Sequence, residues 1–303
     1  MKAKYDLNNK AWQFATLILL SMLWGSSFIL MKKGLRSFTH TQVASFRILF
    51  SYIAFLPVSI KYIRKISKKN FGHLLEVGIV GTIIPAFLFT KAQTQIESSL
   101  AGVLNSLAPL FTLIIGLIFY NSKARFINAV GIFLGLIGAV GLILKNPFVA
   151  VHEMEFNWYG IFIVVATMCY GFNANHIKYR IKGLSGLEIT SLAFFIIGPV
   201  SLLTLFPYDF SKAAESVTLW ADLGFISLLA VFASVLALTI FNTLIQYSSA
   251  LFAASVTYII PVFAIMWGVM DGEQLSPIQL VFIGFIIFGV YLVNKRKKNK
   301  ITA

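Results

Sequence analysis

Residues 95–145 read QIESSLAGVLNSLAPLFTLIIGLIFYNSKARFINAVGIFLGLIGAVGLILK, and residues 246–295 read QYSSALFAASVTYIIPVFAIMWGVMDGEQLSPIQLVFIGFIIFGVYLVNK. Each runs from a Ser-bearing break into an apolar segment holding one proline, Pro109 or Pro261, then through a short polar break into a second, Gly-rich apolar segment. They are two copies of one pattern. When a copy is made of membrane-length segments and holds an odd number of them, the two halves cross the bilayer in opposite senses around a central site.

Composition puts the chain in lipid. Of its 303 residues 58% are hydrophobic and 12% are charged, and the mean hydropathy is +0.83. A globular chain in water carries about a quarter charged residues. The net charge of +14 raises the question of nucleic acid. The basic residues cluster between apolar segments, as in KYIRKISKK (61–69) and KRKKNK (295–300). Cytoplasmic loops account for that placement, and no nucleic-acid partner is expected. Cys169 is the single cysteine, so no intramolecular disulfide forms. The four histidines, His40, His73, His152 and His176, are scattered without metal-ligand spacing, and no metal or cofactor is expected.

About 20 apolar residues cross the hydrocarbon as a helix. Ten segments qualify, near 12–31, 41–60, 73–93, 98–119, 126–144, 157–177, 187–206, 221–244, 250–270 and 277–294. The fold class is an all-α membrane protein: ten transmembrane helices as two inverted five-helix repeats, 11–145 and 157–294, flanked by tails 1–10 and 295–303. With the N-terminus inside, 18 Lys and Arg fall in inner connections and 6 in outer ones. Both termini are therefore expected in the cytoplasm. The first outer connection, with Lys32, Lys33 and Arg36, runs against this count. Trp12, Trp158 and Trp220 stand where interfacial anchors belong, at the starts of spans one, six and eight. The first span follows a basic start, is too long for a signal-peptide core and shows no small-residue cleavage site, so it reads as retained. Further matches tie the halves together: MLWGSSFILMK (22–32) aligns with MCYGFNANHIK (168–178), and Glu76-Val-Gly78 with Asp222-Leu-Gly224.

LWGSSFILMK at 23–32, the SFRILFSY stretch around Arg47, LAGVLNSLAPLFT at 100–112 and SVTYIIPVFAIMWGVMDGEQLSPIQLVFIGFIIFGVYLV at 255–293 resemble the EamA-type transporters of the drug/metabolite transporter superfamily. The similarity covers essentially the whole chain. It implies a ten-helix, exporter-like carrier with a cavity between two five-helix halves, handling amino acids, other metabolites, purine-like compounds or drugs. The family usually closes its fourth span with Gly-Glu. The second half has Gly272-Glu273, whereas the first has Tyr120-Asn121. Arg47 matches the family's arginine in span two, and its second-half counterpart is Ala193.

Polar groups inside hydrocarbon face a cavity or a partner helix. The side chains expected to line a substrate cavity are Trp24, Asn105, Tyr170, Asn173, Asn242 and Tyr258. A second set, for the cavity or its gates, is Ser27, Arg47, Gln93, Pro109, His176, Gln246, Thr257 and Pro261. Trp24 and Tyr170 occupy matched positions and can wall a planar or apolar solute from two sides, or simply pack on Gly25 and Gly171. Pro109 and Pro261 each remove an intrahelical hydrogen bond and free a carbonyl near Asn105 and Thr257. They act as a binding and hinge element or only curve two packed helices. Arg47, a full charge inside span two, either receives a carboxylate or locks onto carbonyls or an acid near the outer end. His176 fits an interfacial structural role or proton coupling. Gly131, Gly135, Gly138, Gly284 and Gly289 read as close-packing surfaces, and the sequence leaves a homodimer and a monomer equally open.

No carboxylate lies at the centre of any span, so direct support for proton coupling is slight. No Walker-type motif is present, which excludes primary pumping by this chain. The rival classes, a polytopic membrane enzyme or a channel, lack their marks. There is no H-E-x-x-H or G-x-S-x-G, Tyr208-Asp209 stands in a loop, and no ring of charge or filter loop is visible. The expected function is a non-enzymatic carrier of the bacterial inner membrane, working as an exporter, whose partners are the lipid bilayer and a small-molecule substrate.

Overall fold

The structure is a computed structural model, and it describes residues 7–122, 125–144, 156–206 and 209–294. Most of the two tails, the connection at 145–155 with His152, Lys123 and Tyr208 lie outside the described residues.

Among the described residues nine helices are long and apolar enough to cross a bilayer. They are α1 (Lys10–Gly34), α2 (His40–Lys65), α3 (Lys68–Ala92), α4 (Ser98–Phe119), α5 (Phe126–Ile143), α6 (Tyr159–Arg180), α7 (Gly186–Leu205), α8 (Leu219–Tyr247) and α9 (Ala250–Met270). The tenth, α10 (Pro277–Asn294), is an apolar helix of 18 residues. The chain is thus an all-α membrane protein of about ten helices. Several helices run a turn or more beyond the apolar cores, because their capped, polar ends continue the helix past the hydrocarbon. Asn9 caps α1 by accepting from Ala11 N–H at 2.8 Å. Thr39 and Gln42 form a capping box on α2, as do Ser185 and Glu188 on α7.

Contacts fix the direction of each helix. The end of α1 meets the end of α9 through Lys32 and Glu273. The amide of Asn157, just before α6, donates to the Gln95 carbonyl that comes after α3. So α6 starts at the end of the bundle where α1 and α3 finish. At the opposite end, Lys65 at the close of α2 pairs with Glu188 at the start of α7, and Asn128 at the start of α5 donates to the Val293 carbonyl of α10 at 2.6 Å. Helices at corresponding places in the two halves therefore run oppositely. Packing repeats with the same exchange: α4 lies on α6 as α9 lies on α1, α3 on α6 as α8 on α1, and the pairs α5–α10 and α2–α7 join like to like.

Irregular turns also recur in matched helices. The helices α4 and α9 tighten to 3-10 turns at Asn105–Leu107 and Ser255–Tyr258, just before Pro109 and Pro261. Pro261 removes the donor that the Thr257 carbonyl would have used, and that carbonyl accepts instead from the Ser106 hydroxyl at 2.7 Å. One proline-broken helix thereby satisfies the other. In α3 and α8 the matched irregularity is a widened π turn, at Ile79–Ile83 and Leu229–Leu236, a feature common at functional sites.

The glycines of α5 work as expected. A Cβ on Gly131 would strike the Gly289 carbonyl of α10, and one on Gly138 would meet Ile286 and the Phe282 carbonyl. A Cβ on Gly135 would strike Leu110 of α4. Gly284 is different, since it faces open space and closes no contact. Trp158 and Trp220 point outward, 66% and 80% exposed, as anchors in an interface would.

Candidate functional site

A cavity lies near the middle of the bundle, with about 840 Å³ of empty space including its mouth. Six helices besides α2 contribute to it: Trp24, Ser27, Phe28 and Met31 come from α1, Gly81, Thr82 and Phe89 from α3, and Asn105, Ala108 and Thr112 from α4. Tyr170, Asn173 and Ala174 (α6), Leu238 and Phe241 (α8), and Ala254, Val256 and Thr257 (α9) complete that set, while α2 supplies Arg47. Helices α5 and α10 stay outside it, packed on each other.

Two aromatic pairs shape the walls. Trp24 meets Phe241 edge to face, with ring centroids 5.0 Å apart, and Tyr170 stacks on Phe89 at 5.9 Å. The first pair joins α1 to α8, the second α6 to α3, so the two are counterparts under exchange of the halves. The Trp24 indole is fixed by donating to the Ala233 carbonyl at 3.0 Å. That carbonyl lies within the π turn of α8, where the regular ladder of backbone bonds is disturbed.

The polar groups are few. Arg47 donates through Nε to the Ser234 hydroxyl at 2.9 Å. Among the described residues no carboxylate forms an ion pair with it, so the lock onto an acid is not what the structure shows. Asn105 and Asn173 are 6% and 7% exposed, and the Oδ1 atom of each lacks a hydrogen-bond donor. A buried acceptor without a donor costs on the order of 1–3 kcal/mol. The cavity thus offers one guanidinium and two amide oxygens that lack a donor.

Of the six residues first expected here, Trp24, Asn105, Tyr170 and Asn173 line the cavity, and so do Ser27, Arg47 and Thr257 from the second set. The others lie elsewhere. Asn242 is buried between helices, donating to the Thr190 hydroxyl at 2.9 Å. Tyr258 turns away and donates to the Val290 carbonyl of α10. Gln93 donates to the Phe28 carbonyl at 3.0 Å near one end of the bundle, and Gln246 to the Leu184 carbonyl at 2.5 Å near the other. Pro109 and Pro261 shape α4 and α9 without lining the space. His176 sits near the C-terminal end of α6, bonded to His73. Sequence reasoning missed Phe28, Met31, Gly81, Thr82, Phe89, Thr112 and Phe241, whose types are ordinary in any membrane helix.

Both ends of the bundle are held by polar contacts. At one end Glu273 accepts from Lys32 Nζ at 2.8 Å, Ser98 Oγ at 2.7 Å, and the backbone N–H groups of Ser98 and Ser99, each at 2.9 Å. Asp271 binds Lys33 and Lys32, and Asp222 binds Arg36. The three basic residues that run against the charge count are thus each neutralised by an acid of the second half. At the other end Lys178, the counterpart of Lys32, meets no Glu273 equivalent. It donates to the carbonyls of Ile245 at 3.0 Å, Gln246 at 3.2 Å and Ser248. The departure at Tyr120-Asn121 is compensated by helix-end carbonyls.

The described residues form an all-α bundle of about ten apolar helices around a polar and aromatic cavity, the build of a multi-pass membrane protein. The sequence profile of the EamA-like transporter family matches residues 12–144 and 157–295, and the chain belongs to that family. It is 28% identical to a protein of Escherichia coli K12 named as an uncharacterized inner membrane transporter, YedA, over 94% of this chain and 91% of that one. It is 24% identical to an uncharacterized transporter of Archaeoglobus fulgidus, over 94% and 99%. A solved crystal structure with 12% identity superposes with a TM-score of 0.64 over 94% of this chain and 96% of that one, which shows the shared fold.

Proposed function

We propose that the chain is a carrier of small organic metabolites, amino acids or related compounds and drugs among them, working as an exporter by alternating access. In this reading residues 11–145 and 157–294 are inverted repeats, both termini face the cytoplasm and the membrane is the bacterial inner membrane. The observation that carries it is the central cavity lined by Arg47, by the donor-less Asn105 and Asn173 oxygens and by two aromatic pairs at corresponding places in the two halves. Such a space suits a solute with an anionic or acceptor group, a donor group and an apolar body. Lys32 with Asp271 and Glu273 joins the halves at one end and Lys65 with Glu188 joins them at the other, so opening either end means breaking one set while the other holds. The test is efflux and uptake of a labelled metabolite panel by the pure protein in vesicles. Saturable flux of at least one solute, reduced about tenfold or more in Arg47→Gln, supports the reading. Flux of ions at channel rates, or turnover of a covalent reaction, contradicts it.

A further inference from the structure

His73 and Glu76 stand one turn apart at the start of α3, and His176 stands near the end of α6. They come together at the end of the bundle opposite Glu273. His73 Nδ1 lies 3.1 Å from His176 Nε2, and Glu76 Oε1 lies 3.3 Å from His176 Nδ1. One donor atom from each residue falls within 4.8 Å of the others. Phe172 stacks on the His176 ring with centroids 6.0 Å apart and holds its orientation. His176 is 4% exposed, while a third of the Glu76 side chain remains open to solvent.

We propose that His73, Glu76 and His176 form a binding site for a divalent transition-metal ion of the zinc class. Two imidazole nitrogens and a carboxylate oxygen are a donor set that zinc, cobalt and nickel accept. Metal–ligand bonds of about 2.0–2.1 Å in a tetrahedron put neighbouring donors about 3.3 Å apart. The two nitrogens already stand near that spacing. The widest separation closes by a rotamer change of Glu76, which its exposure permits. Solvent on that side supplies a water as the fourth ligand. Without the ion the same atoms are satisfied by the chain from His73 through His176 to Glu76, so the site forms without strain in either state. The sequence alone assigned no metal ligands, because His73 and His176 are 103 positions apart and belong to different halves.

The ion would tie α3 to α6, one helix from each half. Its effect on transport rests on the carrier reading, but its binding does not, and binding is what the experiment measures. The full chain, purified in detergent, is titrated with Co²⁺ followed by its visible d–d absorption and with Zn²⁺ by calorimetry. The expected result is one ion per chain, with affinity reduced by more than the roughly 10- to 100-fold that loss of an outer-shell partner costs in His73→Ala and in His176→Asn, and unchanged in His40→Ala. A second variant guards against simple misfolding: in His73→Cys the bound Co²⁺ gains a near-ultraviolet thiolate band that the wild type, with only Cys169, lacks. No saturable binding below millimolar ion, binding undiminished in the His73→Ala/His176→Asn double variant, or no thiolate band in folded His73→Cys would each overturn the site.

Discussion

Glu273, just past the end of α9, holds the first turn of α4 by accepting the Ser98 N–H at 2.9 Å and the Ser98 hydroxyl at 2.7 Å. A helix start exposes unpaired N–H groups and a partial positive charge. Here an acid from the other half satisfies both and binds Lys32 as well. The same carboxylate thus caps a helix and joins the halves.

Replacing it, as Glu273→Gln, leaves Lys32 with only Asp271 and weakens the bonds to Ser98 and Ser99. The expected cost is about 3 kcal/mol, read as a lower unfolding midpoint in detergent. Burial pushes the Glu273 carboxyl up, but the bonds from Lys32, Ser98 and the Ser99 N–H outweigh it and hold the group at about 2, below its ordinary 4.5. The folded state therefore binds its proton only at lower pH than the unfolded state does. Its contribution is complete above pH 4.5 and fades between pH 4.5 and about 2. Neighbouring Glu97 goes the other way, pushed up by burial and by the Glu273 charge. Wild type should lose stability over that acid window, and Glu273→Gln should show a flatter acid limb.

Arg47 reaches the cavity with one fixed bond, to Ser234. Arg47→Gln removes a charge that no acid among the described residues balances, so folding stability should hold or rise. Flux of the transported solute should drop by about tenfold or more, the worth of a charge-assisted hydrogen bond. Ser234→Ala, which only loosens the guanidinium, should cost less. Paired flux and unfolding measurements separate the two effects.

Gly81 leaves room for Asn173. A Cβ there would press on the amide of Asn173, a side chain able to move. Gly81→Ala should therefore displace Asn173 and raise the half-saturating solute concentration several-fold, while the unfolding midpoint shifts little. An unchanged concentration dependence would show that Asn173 does not contact the solute.

The α5–α10 contact depends on backbone approach at Gly131 and Gly289. Gly131→Leu or Gly289→Leu should sharply reduce the folded yield, since neither helix can retreat without opening that contact. Gly284→Leu, which meets no neighbour, should express and fold as wild type. Size-exclusion profiles of the three variants decide this.

The all-α membrane fold of about ten helices was legible in the sequence because hydropathy and length are one-dimensional signals. The cavity was legible only in part. Trp24, Asn105, Tyr170 and Asn173 line it, as polar or aromatic residues at matched positions suggest. Asn242 and Tyr258 carry the same sequence signal but spend it on Thr190 and the Val290 carbonyl. A polar side chain in a span announces that it needs a partner, not whether the partner is a solute or the next helix. The π turns of α3 and α8 add to the difficulty, since each shifts the rotational phase of the turns beyond it. The His73–Glu76–His176 group needs two helices from different halves to meet, which spacing along one chain never displays.

Access to the cavity from both membrane faces is the claim on which the carrier reading stands. Asn173→Cys, made in a Cys169→Ser background, places one thiol in the cavity. A membrane-impermeant maleimide is then applied to intact cells and to inverted vesicles. The account predicts labelling from both sides, slowed by a transported solute. Labelling from one side alone, or from neither, would contradict it.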